Sequence, residues 1–299
     1  MKLEVRNLKK SFEGNQVLHG ISFEVESGSA LGLLGRNGAG KTTTIRIIMD
    51  VFKADEGEVY LDGKIFNPKK HLIGYLPEER GLYPKKTVLE QIVYLTRLRG
   101  LSKKEAVDNA KKWLKRLEID EYTNRKLETL SKGNQQKVQF ISAIINEPEL
   151  LILDEPFSGL DPLNIELFKN VILELKDKGT SIIFSSHRMD HVELFCEKLL
   201  ILVKGKTVLE GYLKDIKKDY KIKKVIIEGD VKKSELEKID GVLKVNKTSF
   251  KYEVEIKDEK YFKNIFNYIK TKNNITKFVL EDASLEEIFI AKVGEVYGK

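Results

Sequence analysis

The residues best suited to chemistry lie in one run, Gly35-Arg36-Asn37-Gly38-Ala39-Gly40-Lys41-Thr42. It fits the phosphate-binding pattern G-x-x-x-x-G-K-[ST]. Glycines let a backbone wrap closely around phosphate oxygens with its N–H groups pointing inward. The Lys41 ammonium can reach β- and γ-phosphates, and the Thr42 hydroxyl can ligate Mg2+, with Thr43 close by. Such a loop is expected between a strand and a helix. Residues 30–34 are a short apolar run suited to a buried strand, and residues 43–51 carry Ile45, Ile48 and Met49 at helical spacing. The N-terminus of that helix adds partial positive charge next to the phosphates.

A second group lies far away in sequence. Leu150-Leu151-Ile152-Leu153 is apolar throughout, as a central parallel strand buried on both faces should be. It ends in Asp154-Glu155, at the sheet edge where open α/β folds bind ligands. Residues 181–184 read as the next buried strand, with His187 beyond its end on the same edge. In between, Asp161-Pro162 has the makings of a helix start, as N-cap and first residue. Ile165, Phe168, Val171, Ile172 and Leu175 give that helix one apolar face, and Gly179 ends it.

The remaining elements must position these groups. Residues 3–8 and 17–26 read as strands, and Phe12 reads either as core or as a ring that stacks on a base. Asp62-Gly63 marks a hairpin between 58–61 and 64–66. Residues 73–76 read as a strand followed by a loop, 77–87, that holds Glu78 and Tyr83. Residues 88–146 read as mainly helical. They include a capping box from Ser102 to Glu105, and Trp113 is expected as a core anchor beside Leu114 and Leu117. The tail differs in composition, with 20 lysines from Lys214 onward and no arginine. Strands at 225–227, 242–245, 252–256 and 277–280 and helices at 234–239 and 261–269 give the order βαββαβ, the ferredoxin-like arrangement. A short helix at 284–289 follows, and 208–216 is expected to be the linker.

Composition bounds the class. The chain has 299 residues, of which 41% are hydrophobic and 33% charged, enough for one large domain and a small one. No apolar run approaches the roughly 18 residues of a membrane span, and the start, MKLEVRNLKK, lacks a signal-peptide core. The single cysteine, Cys196, excludes an internal disulfide and suits a reducing cytosol, where it is expected as a buried small side chain. The net charge of +7 comes from lysines scattered among acids, which reads as a mixed solvated surface.

The order of motifs resembles the nucleotide-binding subunits of ABC transporters over about residues 1–212. Leu130-Ser131-Lys132-Gly133-Asn134-Gln135-Gln136 is similar to the signature LSGGQ, Ser158-Gly159-Leu160-Asp161 to the D-loop, and His187 to the switch histidine. Four positions depart from the pattern. Lys132 and Asn134 replace signature residues, Glu78 stands at the Q-loop glutamine, and Phe12 takes the place of the usual stacking tyrosine. The tail resembles the C-terminal domain of sodium-efflux and bacitracin-export ATPases.

The resemblance implies a fold: a phosphate-loop NTPase cassette at 1–215 with RecA-like core, β subdomain and helical subdomain (about 88–146), plus a ferredoxin-like α+β domain at 220–299. It also implies ATP and Mg2+, and two cassettes facing head to tail as a homodimer or with an equivalent ABC subunit. Phe12 would stack on adenine, and Gly35 to Thr43 would hold the phosphates. Thr42, Asp154 and Glu78 would hold Mg2+ or its water. Glu155 would act as general base, with Lys41 and His187 on the γ-phosphate. Ser131, Gly133 and Asn134 would close on the partner's nucleotide, and Asp161 would communicate across the dimer. The implied function is the ATPase of an exporter, on the cytoplasmic face of the membrane, with a separate transmembrane permease subunit. The alternative is an ABC ATPase acting on nucleic acid or ribosomes. One phosphate loop and a short span from Thr42 to Leu130 argue against it, and nucleic acid is not an expected partner.

Overall fold

The computed structural model describes residues 1–79 and 81–297. It divides into two compact units, Met1–Glu210 and Gly211–Lys299.

The first unit opens with a long hairpin, β1 (Lys2–Phe12) and β2 (Asn15–Glu26), longer than the sequence suggests because cross-strand pairing carries the polar ends. Then come β3 (Ala30–Leu34), α1 (Lys41–Ile48), β4 (Glu56–Leu61), β5 (Lys64–Ile65) and β6 (Ile73–Leu76). The three helices α2 (Val88–Leu98), α3 (Lys103–Arg116) and α4 (Lys132–Ile144) follow. The unit closes with β7 (Leu150–Asp154), α5 (Pro162–Asp177), β8 (Ser181–Ser186), α6 (Met189–Glu193), β9 (Lys198–Val203) and β10 (Lys206–Tyr212).

Two sheets result. β2-β1-β4-β5 is antiparallel, and β10-β9-β3-β8-β7-β6 forms the larger sheet. In the larger sheet β9, β3, β8, β7 and β6 run parallel. Every residue of β3, β7 and β8 is buried, as strands covered on both faces require. Because these strands are parallel, their C-terminal ends share one edge, which brings Leu34, Asp154 and Ser186 into line. The register Leu34↔Ser186 and Asp154↔Ser185 fixes that alignment.

The helical segment is held by caps and buried rings. Thr87 and Ser102 both complete capping boxes, with Glu90 and Glu105. The Phe140 ring of α4 stacks on Phe168 of α5 at 4.1 Å, and neither has measurable exposure. Trp113 is not the expected core anchor. The buried face of α3 is Ala106, Ala110 and Leu114, and Trp113 sits one residue off it, half-buried beneath the Arg116 guanidinium.

The second unit comprises α7 (Leu213–Asp219), β11 (Lys223–Glu228), α8 (Lys233–Leu236), β12 (Val242–Lys247), β13 (Tyr252–Ile256), α9 (Phe262–Ile269), β14 (Lys277–Asp282) and α10 (Leu285–Tyr297). Its sheet is antiparallel in the order β12-β13-β11-β14, the ferredoxin-like topology. Val225, Ile227, Val245, Val254 and Ile256 meet Leu236, Ile265 and Ile269 in its core. The boundary between the units falls within the expected linker, residues 208–216, which is ordered as the end of β10 and the start of α7.

Truncating Phe168 removes one face of the stacked pair and leaves a cavity in a fully buried site. Phe168→Ala should cost about 3–5 kcal/mol, read as a lower urea midpoint; an unchanged midpoint would contradict this account of the packing.

Candidate active site

The phosphate loop joins β3 to α1. Gly40 is the N-cap of α1 with φ at +105°, a conformation closed to most other residues. Gly35 has no room for a side chain, since a Cβ there would lie 2.6 Å from Leu202 O. Arg36, Asn37 and Gly38 are exposed at the tip, whereas Ala39, Gly40 and Lys41 are buried. The helix begins at Lys41, two residues earlier than its apolar spacing suggests. Lys41 and Thr42 are therefore its first residues, where backbone N–H groups are unpaired. The Lys41 ammonium donates to Gly35 O at 2.7 Å and so spans its own loop.

The acid pair at the end of β7 meets this loop. Thr42 Oγ1 donates to Asp154 Oδ2 at 3.1 Å. Asp154 is 1% exposed, and its Oδ1 has no hydrogen-bond partner. Burial raises the carboxyl above its ordinary range, against the pull of the nearby Ser185 and Thr42 hydroxyls and of Lys41. A desolvated carboxylate oxygen beside a hydroxyl is a hard-oxygen donor pair of the kind Mg2+ takes. Among the described residues no cluster of three or more His, Cys, Asp or Glu gathers around a common point. Such an ion would thus complete its shell with phosphate and water oxygens.

Glu155 turns away from Asp154 in a left-handed backbone, φ +50°, an uncommon state for a side-chain-bearing residue. That turn aims the carboxylate at the end of β8. Oε1 accepts from His187 N and from His187 Nδ1, each at 2.7 Å, and Oε2 accepts from Ser186 Oγ at 3.0 Å. The carboxylate is an acceptor, so Nδ1 carries the proton, and Nε2 of the half-exposed ring is the atom able to meet a phosphate oxygen. The cluster thus joins a cationic loop, a metal-type oxygen pair and a braced carboxylate that can accept a proton.

Other expected site residues stand apart. Phe12 ends β1, 42% exposed, its ring edge-on to Phe52 at 5.3 Å with Lys10 Nζ above both. Ser131 is the N-cap of α4, accepting from Asn134 N at 3.3 Å, with Gly133 and Asn134 half-buried behind it. Asp161 caps α5, and its carboxylate accepts from Asn164 N and Nδ2. Among the described residues no hydrogen bond or ion pair joins Ser131, Asn134 or Asp161 to Lys41, Thr42 or Asp154. Glu78 is exposed in the turn after β6.

Sequence reasoning passes over three contributors. Ser185 and Ser186 flank the carboxylates, and the Ser-Ser pair before His187 is their one signal. Tyr75 on β6 has its phenol pushed up to about 12, first by burial and then by Asp154, with Glu78 and Glu79 adding to it. Its position beside three acids has no counterpart in local spacing.

The raised Asp154 carboxyl has a consequence for stability. Its folded value lies above the unfolded 3.8, so ionisation costs stability as pH rises through that window and the cost persists at neutral pH. Asp154→Asn should therefore melt higher than the wild type at pH 7 without ligand, the gap closing as pH falls toward 4; a lower melting temperature throughout would contradict this.

The comparisons agree with this geometry. Residues 18–158 match the ABC transporter family, and residues 211–293 match the C-terminal domain of ATP-binding protein DrrA1-3-like chains. The uncharacterized ABC transporter ATP-binding protein YhaQ of Bacillus subtilis is 48% identical over 296 residues, 99% of each chain. The linearmycin resistance ATP-binding protein LnrL of the same organism is 34% identical, over 72% of this chain and 70% of its own length. A solved ATP-binding subunit of an ABC transporter superposes with a TM-score of 0.68 at 32% identity, covering 74% of this chain and 93% of that one. Loop, acid pair, helical segment and C-terminal domain lead to one conclusion: the chain belongs to the ATP-binding subunits of ABC transporters, the ATPases that power transport.

Proposed function

We propose that two copies of this chain, or one copy and an equivalent subunit, enclose ATP between them and drive an exporter. The observation that carries this is the one-sided site. Lys41, Thr42, Asp154, Glu155 and His187 gather at one sheet edge, while Ser131 caps a different helix with its hydroxyl exposed. A nucleotide on the loop leaves a face open, and the N-terminus of α4 supplies the N–H groups and hydroxyl to cover the partner's nucleotide. Thr42 and Asp154 would hold Mg2+, which would supply charge neutralisation at the phosphates, with Glu78 near its water. Glu155 takes the proton from the attacking water, and His187 Nε2 and Lys41 stabilise charge on the γ-phosphate. Phe12 stacks on adenine, and Asp161 reports across the dimer. Hydrolysis removes the bridging phosphate, and that difference in affinity drives motion.

Export is supported by the similarity to a linearmycin resistance protein and by the C-terminal match. No described helix is long and apolar enough to cross a membrane. In this reading a separate permease supplies the pore, and this chain sits peripherally on the cytoplasmic face. Its docking surface lies beside Glu78. Tyr83 and Tyr94 are 55% and 50% exposed, with ring centroids 6.2 Å apart. Such a pair fits an apolar partner better than water.

Glu155→Gln should bind ATP yet hydrolyse it at least about a hundredfold more slowly, and accumulate as a dimer by light scattering with ATP but not ADP; wild-type turnover would remove Glu155 from its role. Tyr83→Arg combined with Tyr94→Arg should abolish co-purification with the permease while leaving ATPase activity in solution within about twofold; retained association would move the docking surface elsewhere.

A further inference from the structure

α4 carries two nearly fully buried amides three residues apart, Gln136 at 2% and Gln139 at 5% exposure. That spacing puts them on one side of the helix. Gln136 Nε2 donates to Pro156 O at 3.0 Å, just after Glu155. Gln139 Nε2 lies 3.3 Å from both Pro77 O and Glu79 O, and so spans the backbone on either side of Glu78. Gln91 of α2, 1% exposed, holds the far part of the same loop, its Oε1 accepting from Tyr83 N at 3.1 Å.

Both clamping amides are half satisfied among the described residues, where Gln139 Oε1 and Gln91 Nε2 have no hydrogen-bond partner. A buried, unpaired amide atom is costly, and an apolar side chain of similar shape would avoid that cost. Stability alone therefore does not account for these two glutamines. What they do instead is fix the loop backbone to helices α2 and α4.

We propose that Gln139, seconded by Gln91, is a positioning residue for ATP hydrolysis. It holds the backbone that carries Glu78 to the helix whose first turn presents Ser131 and whose Gln136 grips the turn after Glu155. The Glu78 loop is thereby held to the same helix that starts at Ser131. This rests on the reading of Glu78 and Ser131 given above.

Gln139→Met keeps the side-chain length and removes both donors. Turnover should fall about tenfold while ATP affinity, measured in the Glu155→Gln background, stays within about twofold. Amides of residues 78, 79 and 81–83 should exchange about tenfold faster or more, with β7 unchanged. In a Glu78→Ala background the same substitution should change kcat less than about twofold, because the residue acts through that loop. An equal fall in kcat in both backgrounds, or loop exchange untouched by Gln139→Met, overturns the proposal. A wild-type protein that binds ATP without turnover would instead defeat the functional reading, and the exchange comparison would still decide whether Gln139 holds the loop.

Discussion

A negative charge out of reach of water is the constraint on which the site depends. Asp154 is placed by a strand whose every residue is buried, and its one hydrogen-bonded oxygen is met by a hydroxyl from the first turn of α1. The parallel sheet makes this unavoidable. Strands covered on both faces end at a dry edge, and whatever polar group stands there loses its hydration. The loss is tolerable if a cation arrives with the ligand. The same burial that raises the carboxyl when alone makes its attraction to a cation stronger. Glu155, one residue further, is also buried, but its left-handed turn gives its carboxylate three donors. Two adjacent acids thus take different roles because the backbone sends them into different surroundings.

The helical segment adds a second level of organisation. α4 connects the parts by side-chain contacts rather than by strand pairing. Ser131 caps its start, the buried Lys137 ammonium donates to Leu117 O at the end of α3, Gln136 reaches the turn after β7, and Gln139 reaches the loop after β6. Phe140 stacks this helix on α5, which Asp161 caps. These polar bonds lie within a buried helix: every residue from Gln136 to Ile144 is buried, so core packing and polar contacts together fix α4 against the sheet.

Much of this was legible in the sequence, because the strongest signals are local. The phosphate loop needs its glycines and Lys41 consecutively, LLIL followed by Asp154-Glu155 announces a strand edge, and Asp161-Pro162 marks its own helix start. The βαββαβ order of the second unit follows from short alternating runs, and the sheet order bears it out. What escaped depends on distant partners. The β9–β10 hairpin turns on Lys204-Gly205, with Lys204 at φ +47°, where the usual signal is Asn-Gly or Asp-Gly. The strand pairing of β10 is therefore not legible locally, although the domain boundary within 208–216 is. Trp113 lies about 100° around α3 from Leu114, and apolar spacing alone did not separate them. Gln139 and Ser186 serve the site through partners distant in sequence, as Tyr75 does through Asp154.

The central claim is that a divalent cation arriving with the nucleotide neutralises Asp154. The most direct measurement is ATP affinity by calorimetry in the hydrolysis-dead protein, with Mg2+ and with excess chelator, before and after Asp154→Asn. Chelation should weaken binding by about tenfold or more when the carboxylate is present, and by less than about twofold when it is gone. An equal Mg2+ effect in both proteins would contradict the account.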